Sequence, residues 1–284
     1  MKEKIKKIIE NSDYDIGLYI CDTRNNSFGY NENKIFETAS CIKLFILLEF
    51  YKQIYEGKKK ENDLLTYKKE DKVSGADSGI IGKLEPGLKL TAKDLATLMI
   101  IYSDNIATNK LIDYLGLDNI NQTIIDLGFK NTKILHELNL FKYFEFGITT
   151  PYEYAKAYLM ILNGEMINKE ISKNVLEVLK KQEKSDIMKK SLPQYDFLFR
   201  GDSSSQINYV ASKSGGIIYT GDEMKNCRND GGIVSTKYGD YIFTIFISNL
   251  DDLQWTYDNK GVELGASIGK IVFNNFIENK GEFK

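Results

Sequence analysis

The chain has 284 residues, 42% of them hydrophobic, with 38 basic against 40 acidic side chains. That supplies a sizeable core, in one large domain or two closely packed ones. The near-balance of charge, with no basic stripe, argues against a nucleic-acid partner, and the run Lys58-Lys59-Lys60 reads as a solvated turn. The charged start, Met1 to Lys7, leads into a short helix pattern rather than an apolar stretch of about 7–15 residues. The expectation is a chain without signal peptide or membrane span, either cytoplasmic or exported with its signal removed. Three cysteines, Cys21, Cys41 and Cys227, make no disulfide framework and suit a reducing compartment.

In chain order, residues 1–11 read as a helix. Tyr14–Cys21 is apolar and β-rich, Asp22–Ser27 is a polar turn, and Phe28–Tyr30 begins a partner strand. Ser40–Tyr55 is hydrophobic almost all round and should be a buried helix. Thr91-Ala-Lys-Asp94 resembles a capping box and opens Leu95–Tyr102. After a polar interruption Ile106–Leu115 continues, ending at Gly116. Residues 131–149 lack periodicity and read as a long ordered loop. Pro151 suits a first helical position, with the helix running to about Asn163, and another helix covers 170–182. Strand signals return at Asn208–Lys213, Gly232–Thr236 and Tyr241–Asn249, and Val262–Glu278 has helical spacing. Two strands at the start and three at the end predict an α/β (α+β) fold. One antiparallel five-stranded sheet is flanked by the terminal helices, with a helical insertion between. The sheet part is expected at about 1–38 and 205–284, and the helical part at about 39–204, within a single domain.

The chemistry is narrowed first by what is missing. His136 is the only histidine and has no metal-binding partner at i+4, so it reads as a surface or loop-anchoring residue. The string Gly265-Ala-Ser267-Ile-Gly269 lies inside a helical pattern, not at a strand–turn–helix elbow, and reads as packing. No phosphate-binding loop or paired-cysteine spacing is present, and no cofactor or metal is expected. A serine hydrolase here would need a base other than histidine, and lysine is the usual substitute.

Three short motifs supply it: Ser40-Cys41-Ile42-Lys43, Ser103-Asp104-Asn105 and Lys213-Ser214-Gly215. At a helix start, Ser40 would meet free N–H groups and the positive end of the dipole. Lys43, one turn on, would share its face, and the apolar helix around it would disfavour the charged amine. Cys41 reads as a small buried filler. Ser103 would hand a proton to a leaving nitrogen, and Asn105 would hold Lys43 and a substrate amide. Lys213 would add positive potential, the Ser214 hydroxyl would bind a carboxylate, and Gly216 could offer its N–H beside that of Ser40. A lone Ser-x-x-Lys is a weak signal, since Ser267-x-x-Lys270 is a second match. The specificity lies in three motifs in order, each on a suitable element.

These residues resemble the class A β-lactamase family of penicillin-recognising serine hydrolases. The resemblance runs through Thr38–Leu44, Leu90-Thr91, Ser103–Leu111, Thr149-Thr150-Pro151, Ala211–Gly215 and Arg228–Val234. It implies the family's α/β sandwich with a helical subdomain, and acylation of Ser40 by β-lactams. One departure stands out. The family carries Glu-x-x-Leu-Asn before the Thr-Pro helix, with the Glu activating the deacylating water. Here Leu135-His136-Glu137-Leu138-Asn139 puts Leu135 at the Glu position if Leu138-Asn139 are matched. Glu137 is two residues off, either a displaced base or a surface carboxylate. Asn139 would contact substrate, and Arg228 would either support the carboxylate pocket or pair with Asp230. Acylation is thus expected to be intact and turnover doubtful.

Three functions stay open: a β-lactamase, a penicillin-binding-type peptidase or esterase, and a slowly turning over β-lactam-binding sensor. The expected partner is a small molecule, a β-lactam or a D-Ala-D-Ala-like peptide, met by a monomer without membrane contact.

Overall fold

In β1 (Asp15–Asp22) every residue but Asp15 and Tyr19 is buried, and Asn25, with φ +68°, turns the chain into β2 (Ser27–Tyr30). The structure, a computed structural model, describes residues 1–73, 78–139, 145–193, 206–218, 226–256 and 258–284. The remaining strands of the larger sheet are β3 (Ile207–Ser212), β4 (Gly215–Ile217), β5 (Cys227–Thr236) and β6 (Gly239–Ser248). Helices among the described residues are α1 (Lys2–Glu10), α2 (Lys43–Tyr55), α3 (Ala92–Ile101), α4 (Asn105–Leu115) and α5 (Leu117–Asp126). They continue with α6 (Pro151–Asn163), α7 (Lys169–Leu179), α8 (Asp186–Ser191) and α9 (Lys260–Glu278).

The sheet runs β2-β1-β6-β5-β3 with β4 also on β5, all antiparallel. The five strands expected become six, because the edge strand is written in two pieces. Across the gap the register does not slip: Ser212 faces Gly232 and Gly215 faces Asn229. The Lys213 N–H still donates to the Gly231 carbonyl at 3.1 Å. Sequence reading missed β4 because two of its three residues are glycines, which carry no strand preference.

Two compact units emerge. The first comprises Met1–Phe36, Thr150–Leu159 and Ser185–Lys284. On one face of its sheet, Leu18, Ile20, Phe243 and Ile245 bury against Ile5 and Ile9 of α1, Met188 of α8, and Val272 and Phe276 of α9. On the other face the Tyr154 ring of α6 lies where only a glycine is tolerated. A Cβ at Gly231 would come within 2.7 Å of it.

The second unit comprises Glu37–Thr149 and Met160–Lys184. Helix α2 runs through it and touches α3, α4, α5 and α7, with every residue from Lys43 to Tyr51 buried. Its all-round hydrophobicity gives this placement, as expected for a helix with no solvent face. The buried Glu49 carboxylate is satisfied by Thr123 Oγ1 (2.5 Å) and Gln53 Nε2 (2.6 Å). Thr91 and Asp94 form the reciprocal cap expected for α3. The loop expected at 131–149 contains a two-stranded ladder, Lys133–Ile134 with Gly147–Thr149, and residues 140–144 of it lie outside the description. The helix expected at 170–182 ends at Leu179, and α8 follows as a separate six-residue piece.

Candidate active site

Ser40 does not open an α-helix directly. It is the second residue of a 3₁₀ turn, Ala39–Ile42, that continues into α2 at Lys43. Such a turn is a common way for a helix to begin. Ala39, just before the serine, has φ +44°, an unfavourable conformation for a residue with a Cβ. Ser40 is partly exposed while Cys41 and Ile42 are fully buried, so the turn presents the hydroxyl and hides its neighbours. Cys41 is buried and in no disulfide, as expected of a small filler.

Lys43 is fully buried, and its amine reaches three oxygens. It donates to the Ser103 carbonyl (2.8 Å), Asn105 Oδ1 (2.9 Å) and Ser103 Oγ (3.2 Å). The first two oxygens can only accept, whereas the Ser103 hydroxyl can accept or donate. These oxygens hold the amine at the Ser103 turn, one helical turn from Ser40.

Ser103-Asp104-Asn105 makes the junction between α3 and α4. Ser103 has φ +55°, again costly for a residue with a side chain. Asp104 holds the turn. It caps α4 by accepting from the Ala107 N–H (2.9 Å), and its second oxygen accepts from the N–H groups of Ile80 (2.8 Å) and Ile81 (2.9 Å). Ser78 completes the strap. Its hydroxyl donates to the Ser103 carbonyl (2.6 Å), and its carbonyl accepts the Asn105 N–H (3.1 Å). Two strained residues, Ala39 and Ser103, thus flank the chemistry, held by surrounding hydrogen bonds.

In the sheet unit, Lys213 is fully buried and its amine donates to the Ser214 carbonyl at 2.6 Å. Its own carbonyl accepts from Tyr154 Oη at 2.8 Å. Because Lys213 and Gly231 form a hydrogen-bonded pair, antiparallel alternation makes Ser214 and Gly216 non-bonded positions. Their N–H and C=O groups therefore point off the free edge of the sheet. Ser214, Gly215 and Gly216 are all partly exposed.

Arg228 lies opposite Gly216 on β5. It does not make the alternative pairing with Asp230. Its guanidinium stacks on Trp255 with Cζ 3.7 Å from the ring centre, and donates to the carbonyls of Cys227 (3.1 Å) and Gln254 (2.9 Å). Burial holds its pKa down at about 10, still cationic at neutral pH. Asp230 is instead held by Ser185 Oγ (2.9 Å), the Met188 N–H (3.0 Å) and the Gly231 N–H (2.9 Å), with its pKa pushed up to about 6 by burial.

The segment that should carry the deacylating base looks different. Glu137 is exposed and lies near Asp113 of α4. Partial desolvation, then the Asp113 charge, raise its pKa. Leu138, not Glu137, is the residue clamped to α4. Asn109 of α4 donates to its carbonyl (2.8 Å) and accepts its N–H (2.9 Å). Asn139 is exposed. His136 Nδ1 meets the Glu137 carbonyl at 2.9 Å, the loop-anchoring part expected of it.

Sequence reasoning thus assigned Ser40, Lys43, Ser103 and Asn105, which the second unit brings together. It missed the holding roles of Ser78 and Asp104 at the Ser103 turn, of Asn109 at Leu138 and of Tyr154 at Lys213. Asp104 had a signal, since a residue inside a motif and before a helix is a natural cap.

Comparison with known proteins agrees with this geometry. The model of the Beta-lactamase enzyme family matches residues 1–276. A β-lactamase of Bacillus licheniformis is 25% identical over 280 residues, covering 96% of this chain and 82% of that one. The match to β-lactamase SME-1 of Serratia marcescens, 29% identical, spans 48% of each chain. A β-lactamase structure from Sphaerobacter thermophilus DSM 20745 superposes with a TM-score of 0.81 at 26% identity, over 96% of each chain. PBP-A superposes with a TM-score of 0.80 at 24% identity, over 98% of this chain and 96% of its own. The chain belongs to the β-lactamase enzyme family, as a serine β-lactamase-like hydrolase with the class A fold.

Proposed function

We propose that Ser40 is acylated by β-lactams and released slowly. One observation carries this: the buried Lys43 amine between Ser103 and Asn105 at 2.8–3.2 Å, one helical turn from Ser40. The Ser40 hydroxyl proton passes to neutral Lys43 while Oγ bonds to the lactam carbonyl carbon. The oxyanion is met by the N–H groups of Ser40 and Gly216, the latter chosen because it points off the sheet edge. Collapse breaks the C–N bond. Ser103 delivers its proton to the leaving nitrogen and is reprotonated by Lys43, leaving an ester on Ser40. Lys213, the Ser214 hydroxyl and Arg228 bind the substrate carboxylate, and Gly215 lets the substrate lie close to the strand. Asn105, with Asn139, binds the acyl amide. Water then hydrolyses the ester.

The slow release rests on Glu137 lying with Asp113 and on Leu135 at the position of the family's base. The same feature favours a second reading, a penicillin-binding-type peptidase or esterase acting on D-Ala-D-Ala-like peptides. We place the chain as a monomer. Among the described residues no helix is long and apolar enough to cross a membrane.

Intact-protein mass spectrometry after exposure to benzylpenicillin tests the reading. The expected result is a stoichiometric adduct absent from Ser40→Ala, decaying more slowly than it forms. Absence of any adduct, with no product in solution, overturns it. Faster turnover of a D-Ala-D-Ala peptide than of lactams selects the second reading.

A further inference from the structure

The single tryptophan of the chain, Trp255, is 66% exposed, yet it is not loose. One ring face rests on the Arg228 guanidinium, whose Cζ is 3.7 Å from the ring centre. That guanidinium is itself buried and fixed by the Cys227 and Gln254 carbonyls. The edge of the indole meets Gly216: a Cβ on that residue would sit 3.0 Å from Cη2, from Cζ3 and from Arg228 Nη1 alike. The glycine is what lets cation and ring close over the strand. The remaining ring face is therefore the exposed one, a rigid apolar plate beside Ser214–Gly216.

A large exposed aromatic costs free energy unless something covers it, and this one is preorganised by a buried cation. We propose that Trp255 is a specificity-determining residue that stacks on a planar aromatic substituent carried by the carboxylate-bearing, leaving-group part of the substrate. The side follows from chemistry. The strand and the arginine that flank Trp255 are those assigned to the carboxylate, and the carboxylate of a lactam sits on the ring that bears the leaving nitrogen. This inference rests on the acylation reading above.

Two cephalosporins that share an acyl side chain and differ at the 3-position, styryl against methyl, test it. Acylation of Ser40 is followed by mass spectrometry and by the fluorescence of the lone tryptophan. The wild type is expected to prefer the styryl compound by about two- to tenfold in the second-order rate, the range of one aromatic stack. Trp255→Ala should bring the ratio of the two rates down by that factor, and Trp255→Phe should keep most of it. A substitution that merely loosened the fold would slow both compounds together and leave the ratio unchanged. Quenching of tryptophan fluorescence by the styryl compound alone would support the stack. An unchanged ratio in Trp255→Ala, with Ser40 still labelled, overturns this inference and leaves the acylation reading standing. No label from either compound in the wild type overturns the acylation reading, and this inference falls with it.

Discussion

Two segments of the helical unit hold the residues proposed for the two halves of a serine hydrolase cycle, and they are built to different standards. Around Lys43 the placement is over-determined. The amine has three partners, the Ser103 turn is tied from Ser78, and Asp104 fixes three backbone N–H groups. In the Leu135–Asn139 segment the main chain is clamped at Leu138 by Asn109, and the Glu137 carboxyl is exposed near Asp113. The same helix, α4, thus begins at the Lys43 contacts and lies beside Glu137 further along. Strain follows the same division: Ala39 and Ser103 have left-handed backbone, and no described residue between Leu135 and Asn139 does. Such backbone costs stability, and within this comparison it lies on the side of Ser40 and Lys43.

The largest blow to this contrast comes from Lys43→Met, which keeps the volume and removes the amine. The rate of Ser40 labelling by a fluorescent penicillin should fall by about 10²–10⁴, the worth of a general base. Retention of labelling within tenfold would separate Lys43 from the chemistry. Ser103→Gly should slow labelling by about 10² through loss of the proton donor. It also relieves the backbone at φ +55°, so thermal unfolding should show stability unchanged or raised by up to about 1 kcal/mol. Activity and stability moving in opposite directions would identify stored strain. Asp104→Ala leaves the N–H groups of Ile80, Ile81 and Ala107 without their acceptor and should destabilise by about 2–4 kcal/mol in urea unfolding. A loss under 1 kcal/mol would mean that the strap from Ser78 to Ile81 is held by something else.

The sequence made the Lys43 side of the comparison readable because its geometry is local. Helical spacing alone puts Ser40 and Lys43 on one face, and a motif at a helix break places Ser103 and Asn105. What it could not show depends on distant partners. Ile80 and Ile81 meet Asp104 across 24 and 23 residues, and Gln254 reaches Arg228 across 26. No periodicity encodes such meetings. The sheet was legible wherever strands were long and β-branched, as in β1 and β6, and illegible at β4, where glycines serve close approach rather than propensity. Glu137 shows a subtler limit. Its type fits a base, but whether it faces the serine or α4 is decided by which neighbouring residue Asn109 clamps.

Glu137 therefore gives the smallest expected effect and the sharpest test of the contrast. Glu137→Gln should leave the decay of the Ser40 adduct unchanged within twofold, because the carboxyl is exposed near Asp113. Its raised pKa, set first by partial desolvation and then by the Asp113 charge, means that the neutral carboxyl favours the fold at low pH. That contribution fades as rising pH ionises Glu137 and leaves two like charges. A glutamine is neutral at every pH. The variant should accordingly match the wild type in acid and exceed it slightly at neutral pH, by no more than about 0.5 kcal/mol and less in high salt, since the pair is exposed. If Glu137→Gln instead slowed adduct decay tenfold or more, the carboxylate would have to reach the ester during turnover. The two segments would then be two halves of one finished machine, and the slow-release reading would give way to an efficient β-lactamase.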